Sequence, residues 1–218
     1  MSTQTPSTET LTGELLAVSV GGVRDVHVGS RVIETGIWKS PVTWRVPVQG
    51  VNLAGDDQAD RTVHGGPDKA VYAYASEDSA WWATQTGREF GPGAFGENLT
   101  TRGLDLSGAR IGDRWRVGTT LLEVRQTRIP CFKLGLRMRD PLFVRAFAQA
   151  GRPGAYLGIL EEGDLGAGDA IEVVFRPDHN VTSALMFQAL LHDASLRPKL
   201  LHAPALPQFW RDWVAEHA

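Results

Sequence analysis

Asp113-Arg114-Trp115-Arg116-Val117-Gly118-Thr119-Thr120-Leu121-Leu122-Glu123-Val124-Arg125-Gln126 reads as two short strands, 113–117 and 120–126. They are joined through Arg116-Val117-Gly118-Thr119 in the manner of a tight hairpin, with glycine at the corner. The same grammar recurs on both sides. Short apolar runs at 13–20, 31–34, 42–48, 70–74, 155–161 and 170–175 are cut by most of the 24 glycines and 12 prolines. Glu162-Gly163-Asp164 and Ala167-Gly168-Asp169 supply turn chemistry before the last strand. Many short strands with glycine at their corners predict a mostly-β chain, folded or closed into a barrel rather than a parallel α/β sheet.

Two helices interrupt the strands. Ser76 is placed to cap the first, Glu77 and Asp78 lie in its first turn, and Gly87 ends it. Trp81 and Trp82 diverge by ~100° on that helix, which predicts one core-facing and one half-exposed indole rather than a stacking platform. The second helix, 141–150, is begun by Asp140 and stopped by Gly151. Beyond residue 175 the character changes. Arg176-Pro177-Asp178-His179-Asn180 resembles a linker, and glycine is absent from Val181 onward. Thr182 can cap a helix, and 196–201 and 206–215 supply two more. The organisation expected is a disordered tail at 1–10, a barrel at 11–176 and a small three-helix unit at 177–218, with Leu206, Phe209, Trp210 and Trp213 as that unit's core.

Composition is that of an ordinary soluble protein: 218 residues, 42% hydrophobic, 22% charged, net charge −3. That balance excludes a nucleic-acid coat, and no apolar run approaches the ~18 residues of a membrane helix. The first ten residues lack the basic and apolar regions of a signal peptide, so a cytoplasmic protein is expected.

Cys131 is the single cysteine, in Gln126-Thr127-Arg128-Ile129-Pro130-Cys131-Phe132-Lys133-Leu134. Arg128 and Lys133 are cations that could favour the thiolate, the form that ligates metals and attacks electrophiles; the other reading is a small buried hydrophobe. His64-Gly65-Gly66 sits in a polar, glycine-punctuated loop whose backbone a ligand can approach closely, although His64 could equally bond a turn. Glu97, beside Asn98 after Gly91-Pro92-Gly93-Ala94-Phe95-Gly96, is an acid, a base or a cap.

Taken together these stretches are specific. Thr35-Gly36-Ile37-Trp38-Lys39, His64-Gly65-Gly66-Pro67-Asp68-Lys69-Ala70, Phe95-Gly96-Glu97-Asn98-Leu99, Gly112-Asp113 and Arg128-Ile129-Pro130-Cys131-Phe132-Lys133-Leu134 follow one another as in the MOSC family. The chain resembles the YiiM branch of that family from about residue 13 to 175, and its helical tail resembles the extension of that branch. Thr127 departs from the pattern where many relatives have proline. Gly21-Gly22-Val23-Arg24 departs where some carry a lysine, so a cationic role falls to Lys39, Arg24 or neither.

The resemblance implies a β-barrel that binds the molybdenum cofactor, molybdopterin with its dithiolene and phosphate, with Cys131 as the protein's thiolate ligand to the metal. Soft sulfur suits a metal already held by sulfur. Lys39, Gly65, Gly66, Asn98, Arg128 and Lys133 are the candidates for binding phosphate and pterin, while Arg61, Lys69 and Arg152 read as solvated or structural. Pyridoxal phosphate is a further ligand the resemblance carries. The activity implied is reduction of N-hydroxylated compounds such as 6-hydroxylaminopurine, which detoxifies base analogues, with Cys131, His64 and Glu97 as catalytic residues and His64 the first choice of general acid. No nucleotide fingerprint or iron–sulfur cysteine set is present, so a separate reductase is the expected electron donor. Oligomeric state is left open. Three alternatives stand beside this reading: a hard-metal hydrolase using Asp57, Asp60 and His64; a non-catalytic carrier of the cofactor or of sulfur on Cys131; and an interaction module built on the tail.

Overall fold

The computed structural model describes residues 11–59 and 65–217. The segment 1–10, expected to be a disordered tail, and His64 with its neighbours Asp60 and Arg61 lie outside the described residues. In chain order the strands are β1 (Thr12–Val20), β2 (Arg24–Val28), β3 (Arg31–Thr35), β4 (Ser40–Val42), β5 (Val46–Gln49), β6 (Asn52–Leu53), β7 (Val71–Ala75) and β8 (Leu99–Arg102). They continue with β9 (Arg114–Val117), β10 (Thr120–Gln126), β11 (Ala155–Glu161), β12 (Gly163–Leu165) and β13 (Ala170–Phe175). The helices are α1 (Ser76–Thr86), α2 (Phe132–Met138), α3 (Phe143–Ala150), α4 (Ser183–Leu191) and α5 (Gln208–His217), with 3₁₀ turns at Pro67–Lys69 and Ala194–His202.

Seven strands close into a barrel in the order β13-β9-β10-β11-β7-β8-β1, with β1 returning to β13 and β4 added outside the closure. The hairpin of β9 and β10 pairs Val117 with Thr120 across a two-residue turn. Gly118 takes φ +55 there, the backbone state that a right-twisted hairpin requires at its first loop position. Only β7 and β8 run parallel within the barrel, because α1 carries the chain back across the sheet between them. A register shift between Leu15 and Ala17 bends β1, so that its start pairs with β13 and its end with β4.

The interior is filled by Leu15, Val71, Leu122, Val124, Leu157 and Ile171, none of them exposed. A second, aromatic cluster lies under α1 and α3, where Trp82 stacks on Phe147 and donates its indole N–H to the Tyr74 hydroxyl at 3.0 Å. Trp82 is buried and Trp81 half-buried beneath the Arg152 guanidinium, as the helical divergence of the pair predicts.

Several local expectations are corrected. The run 42–48 is broken at Thr43-Trp44-Arg45, so β4 pairs with the end of β1 outside the closed barrel while β5 joins β6 and β12 in a separate three-stranded sheet. Pro41 and Pro47 each lack an N–H, which disfavours one continuous strand. The cap of α1 is Ala75, and Ser76 is its first helical residue, with its hydroxyl bonded to Glu77. Thr182 does cap α4, accepting the Leu185 N–H at 3.0 Å. The middle piece of the tail is 3₁₀ rather than α, since Pro198 lies inside it. Phe209 is 67% exposed rather than core.

The tail lies directly on the barrel. Val181, Met186, Leu200, Leu206 and Val214 share one apolar cluster with Ile111 and Trp115. The Ser183 hydroxyl donates to the Gly154 carbonyl at 2.6 Å, and the Trp210 indole N–H donates to Gln126 Oε1 at 2.7 Å.

Candidate functional site

Cys131 ends the extended segment that follows β10 and caps α2, its carbonyl accepting the Leu134 N–H at 2.9 Å. Pro130 fixes the backbone before it, and the side chain is partly open to solvent. Two clefts meet there. A narrow one of about 100 Å³ has Lys39, Asp56, Lys69, Asn98 and Lys133 among its lining residues. A wide one of about 540 Å³ is mainly apolar, bounded by Pro67, Pro130, Pro207, Phe209 and Trp210. Lys69, Ile129, Cys131 and Tyr156 line both.

The floor of the narrow cleft is a buried ion pair. Lys39 Nζ donates to Asp56 Oδ1, and the same oxygen accepts the Gly21 N–H at 2.9 Å. Asn98 Nδ2 donates to Asp56 Oδ2 at 3.0 Å and to the Ser19 carbonyl at 3.2 Å, while its Oδ1 accepts the Tyr72 N–H at 3.1 Å. Burial lowers the pKa of the Lys39 ammonium, and the Asp56 carboxylate opposes that shift. Gly36 is needed beside this network because a Cβ on it would stand 2.4 Å from the Asp57 carbonyl.

Arg128 is also enclosed. Its guanidinium lies 4.7 Å from the Tyr72 ring centre and 5.7 Å from that of Phe147, and it donates to the Phe95 carbonyl. It therefore braces the cleft wall and holds the Phe95-Gly96 turn. Lys133 Nζ donates to the Glu34 carbonyl at 3.0 Å from the opposite rim. Arg24 stacks on Trp38 at 4.0 Å and lines neither cleft.

Glu97 is fully buried and lines neither cleft. Its carboxylate accepts the Gly93 N–H at 2.6 Å, the Phe95 N–H at 2.9 Å and the Thr100 hydroxyl at 3.0 Å, so it organises the glycine-rich turn. Burial raises its pKa, opposed by those donors. Gly65 and Gly66 line the wide cleft, but the Gly66 N–H is already given to Gln58 Oε1 at 3.0 Å. Among the described residues no group of three His, Cys, Asp or Glu side chains could cage a metal ion.

The structure thus brings Cys131, Lys39, Asn98, Arg128, Lys133 and the two glycines to one place. Sequence reasoning missed Asp56, Tyr156, Lys69 and the two tail aromatics. Asp56 had a signal, since a carboxylate between a glycine and the Asp57-Gln58 turn is available to pair with a buried lysine. Tyr156 lies on β11, where alternation alone does not distinguish core from cleft. Its burial pushes the phenol pKa up, so it remains protonated near neutral pH.

The family model described as the MOSC domain matches residues 60–172. The chain belongs to the MOSC family. MOSC relatives include the uncharacterized protein YflK of Bacillus subtilis, 34% identical over 200 residues and 90% of each chain. Protein YiiM of Escherichia coli is 32% identical over 182 residues, 81% of each chain. A protein of Gibberella moniliformis named reductase is 32% identical over 169 residues, which is 76% of this chain and 30% of that longer one. The crystal structure of YiiM from Geobacillus stearothermophilus superposes with a TM-score of 0.77 at 30% identity, covering 94% of this chain and 98% of the other. Closed barrel and helical tail therefore both have counterparts in a solved MOSC structure. MOSC domains are generally associated with the molybdenum cofactor, and no helix among the described residues is long and apolar enough to cross a membrane.

Proposed function

We propose that this chain is a molybdenum-cofactor-dependent reductase of N-hydroxylated compounds, of the kind that detoxifies N-hydroxylated bases such as 6-hydroxylaminopurine. The observation that carries the reading is the position of Cys131 between a narrow cleft lined by lysines and a wide apolar cleft. The donor set fits the cofactor: a lone thiol suits a soft metal, and Lys69 and Lys133 bring positive charge to the cleft where an anionic phosphate would be held, while the charge of Lys39 is balanced by Asp56. Arg128 and Asn98 hold that cleft's walls rather than offering uncommitted donors. A relative named reductase supports redox chemistry.

When bound, the cofactor supplies the two electrons of the reduction, which converts R–NHOH with two protons to R–NH2 and water. The chain's own work is to hold, orient and protonate. Cys131 provides the thiolate ligand. The wide cleft admits the organic part of the substrate and keeps water from its apolar walls. His64 directly precedes the cleft residue Gly65 and is the proposed donor of a proton to the departing oxygen, its ordinary pKa lying near neutrality. Tyr156, protonated and lining both clefts, is a second donor to test. Electrons come from a donor protein separate from this chain, whose single cysteine cannot hold an iron–sulfur cluster. A carrier that only hands on the cofactor has no use for a wide apolar cleft beside the thiolate, which favours the reductase over the carrier.

The test is metal and pterin analysis of protein made in a cofactor-producing host, followed by reduction of 6-hydroxylaminopurine with an artificial one-electron donor. The expected result is stoichiometric molybdenum and turnover that depends on it. Bound cofactor without turnover would make the protein a carrier, and protein free of molybdenum with no turnover would end the molybdenum reading.

A further inference from the structure

Phe209 and Trp210 occupy the first turn of α5, outside the barrel and more than seventy residues from Cys131 in the chain. A phenyl ring left 67% exposed contributes little to the core; what sets Phe209 apart from the chain's other exposed apolar side chains is its place on the wall of the wide cleft. Its ring centre lies 5.0 Å from that of Trp210 in an edge-on arrangement, so the pair forms one angled aromatic surface. Trp210 is fixed from the barrel side. Its indole N–H donates to Gln126 Oε1 at 2.7 Å, and Gln126 Nε2 in turn donates to the Asp68 carbonyl at 2.9 Å. Both tail rings line the wide cleft that reaches Cys131, and Pro67 and Pro130 also line it. At about 540 Å³ the cleft has the size of a small-molecule site.

From this we infer that Phe209 and Trp210 are the specificity platform of the site: they select substrates whose N-hydroxylated group is carried on a flat heteroaromatic ring over acyclic ones. The chemistry of recognition is stacking, which every base offers through its π face and which an acyclic hydroxylamine lacks. Lys39 and Lys133 belong to the narrow cleft, while the wide one carries one cation and one anion, Lys69 and Asp68, on otherwise mainly apolar walls, which suits a ring without net charge. The inference deepens the reductase reading and rests on it only for the reacting end of the substrate; the ring platform is testable by itself.

The probe is adenine, which carries the ring without a reducible group. Its binding to the full-length protein is measured by titration calorimetry and by quenching of tryptophan fluorescence, for the wild type, Phe209→Ala and Phe209→Trp. The exposure of Phe209 makes an effect on folding small, and equal melting temperatures check this. Loss of one stacking contact weakens base binding on the order of tenfold, and Phe209→Trp should restore it. In turnover, Phe209→Ala should raise KM for 6-hydroxylaminopurine by a similar factor and raise the KM for N-methylhydroxylamine by much less, so that the preference for the ring-bearing substrate falls. Adenine that fails to bind the wild type, or binds Phe209→Ala equally well, overturns the platform. Phe209-dependent adenine binding in a loaded protein that reduces no hydroxylamine would sustain the platform and defeat the reductase reading. Reduction that is indifferent to Phe209 and to the ring would do the reverse.

Discussion

Replacing Glu97 by glutamine should destabilise the fold and leave the chemistry of each folded molecule intact. The carboxylate is fully buried and receives two backbone N–H groups and one hydroxyl. Each hydrogen bond to a charged group is worth ~1.5–3 kcal/mol, and glutamine keeps one acceptor oxygen while turning an NH2 toward a donor it cannot accept from. Because the raised pKa shows that desolvation outweighs the charge-assisted gain, the loss at neutral pH is that of the buried donor left facing the NH2, ~1–3 kcal/mol. For a chain of this size each kcal/mol moves the melting temperature by ~2–4 °C, so a fall of about 2–12 °C is expected in calorimetry. The pH dependence has a definite sign. Burial raises the folded pKa above the unfolded one, so the group's contribution is full below the unfolded pKa and declines as pH rises through the folded one. Glutamine does not titrate, so the gap in stability between wild type and variant should narrow over that rise. A variant that melts like the wild type but loses turnover by a hundredfold would refute this reasoning and make Glu97 the proton donor.

Other outcomes follow from the same geometry. Cys131→Ser should leave the melting temperature nearly unchanged and abolish reduction; full turnover at full molybdenum content would remove Cys131 from the mechanism. His64→Gln should keep molybdenum bound and lower turnover by ~10²–10⁴-fold, removing the limb in which the rate falls as pH rises through the imidazole pKa; an unaltered rate and profile would pass the role to Tyr156 or water. Truncation after Phe175 strips Val181, Met186, Leu200, Leu206 and Val214 from a core shared with the barrel, each worth ~1.5–3 kcal/mol of burial, so the remaining barrel should lose cooperative melting. A sharp, undiminished transition would show instead that the barrel's core closes without them.

What was legible in the chain was local. The hairpin at 114–126 is written in alternating apolar residues and one glycine, and the motifs quoted from the sequence contain Cys131, Lys39 and Gly65-Gly66, which line the two clefts. β8 was not legible, because Leu99-Thr100-Thr101-Arg102 has one apolar residue and owes its strand character to its partners on both sides, antiparallel β1 and parallel β7. Lys69 reads as a solvated cation until the barrel closes and turns it toward both clefts. Phe209 obeys helical spacing with Trp210 and Trp213, and nothing in that spacing says that a cleft, not a core, lies beneath it. Asn98 reads as a loop amide, yet it ties β1, β7 and Asp56 through contacts 26 to 79 residues distant in sequence.

Gln126 joins parts of the molecule that the sequence keeps far apart. Its oxygen is committed to the tail and its nitrogen to the turn that follows the histidine loop, five residues before the cysteine. An amide offers one acceptor and one donor end, and here neither can be reversed without breaking both links. The helical tail is consequently not an interchangeable attachment. Any other sequence grafted onto this barrel would have to bring an N–H to that oxygen, or the last residue of β10 would be freed to turn and the approach to the thiol would change shape.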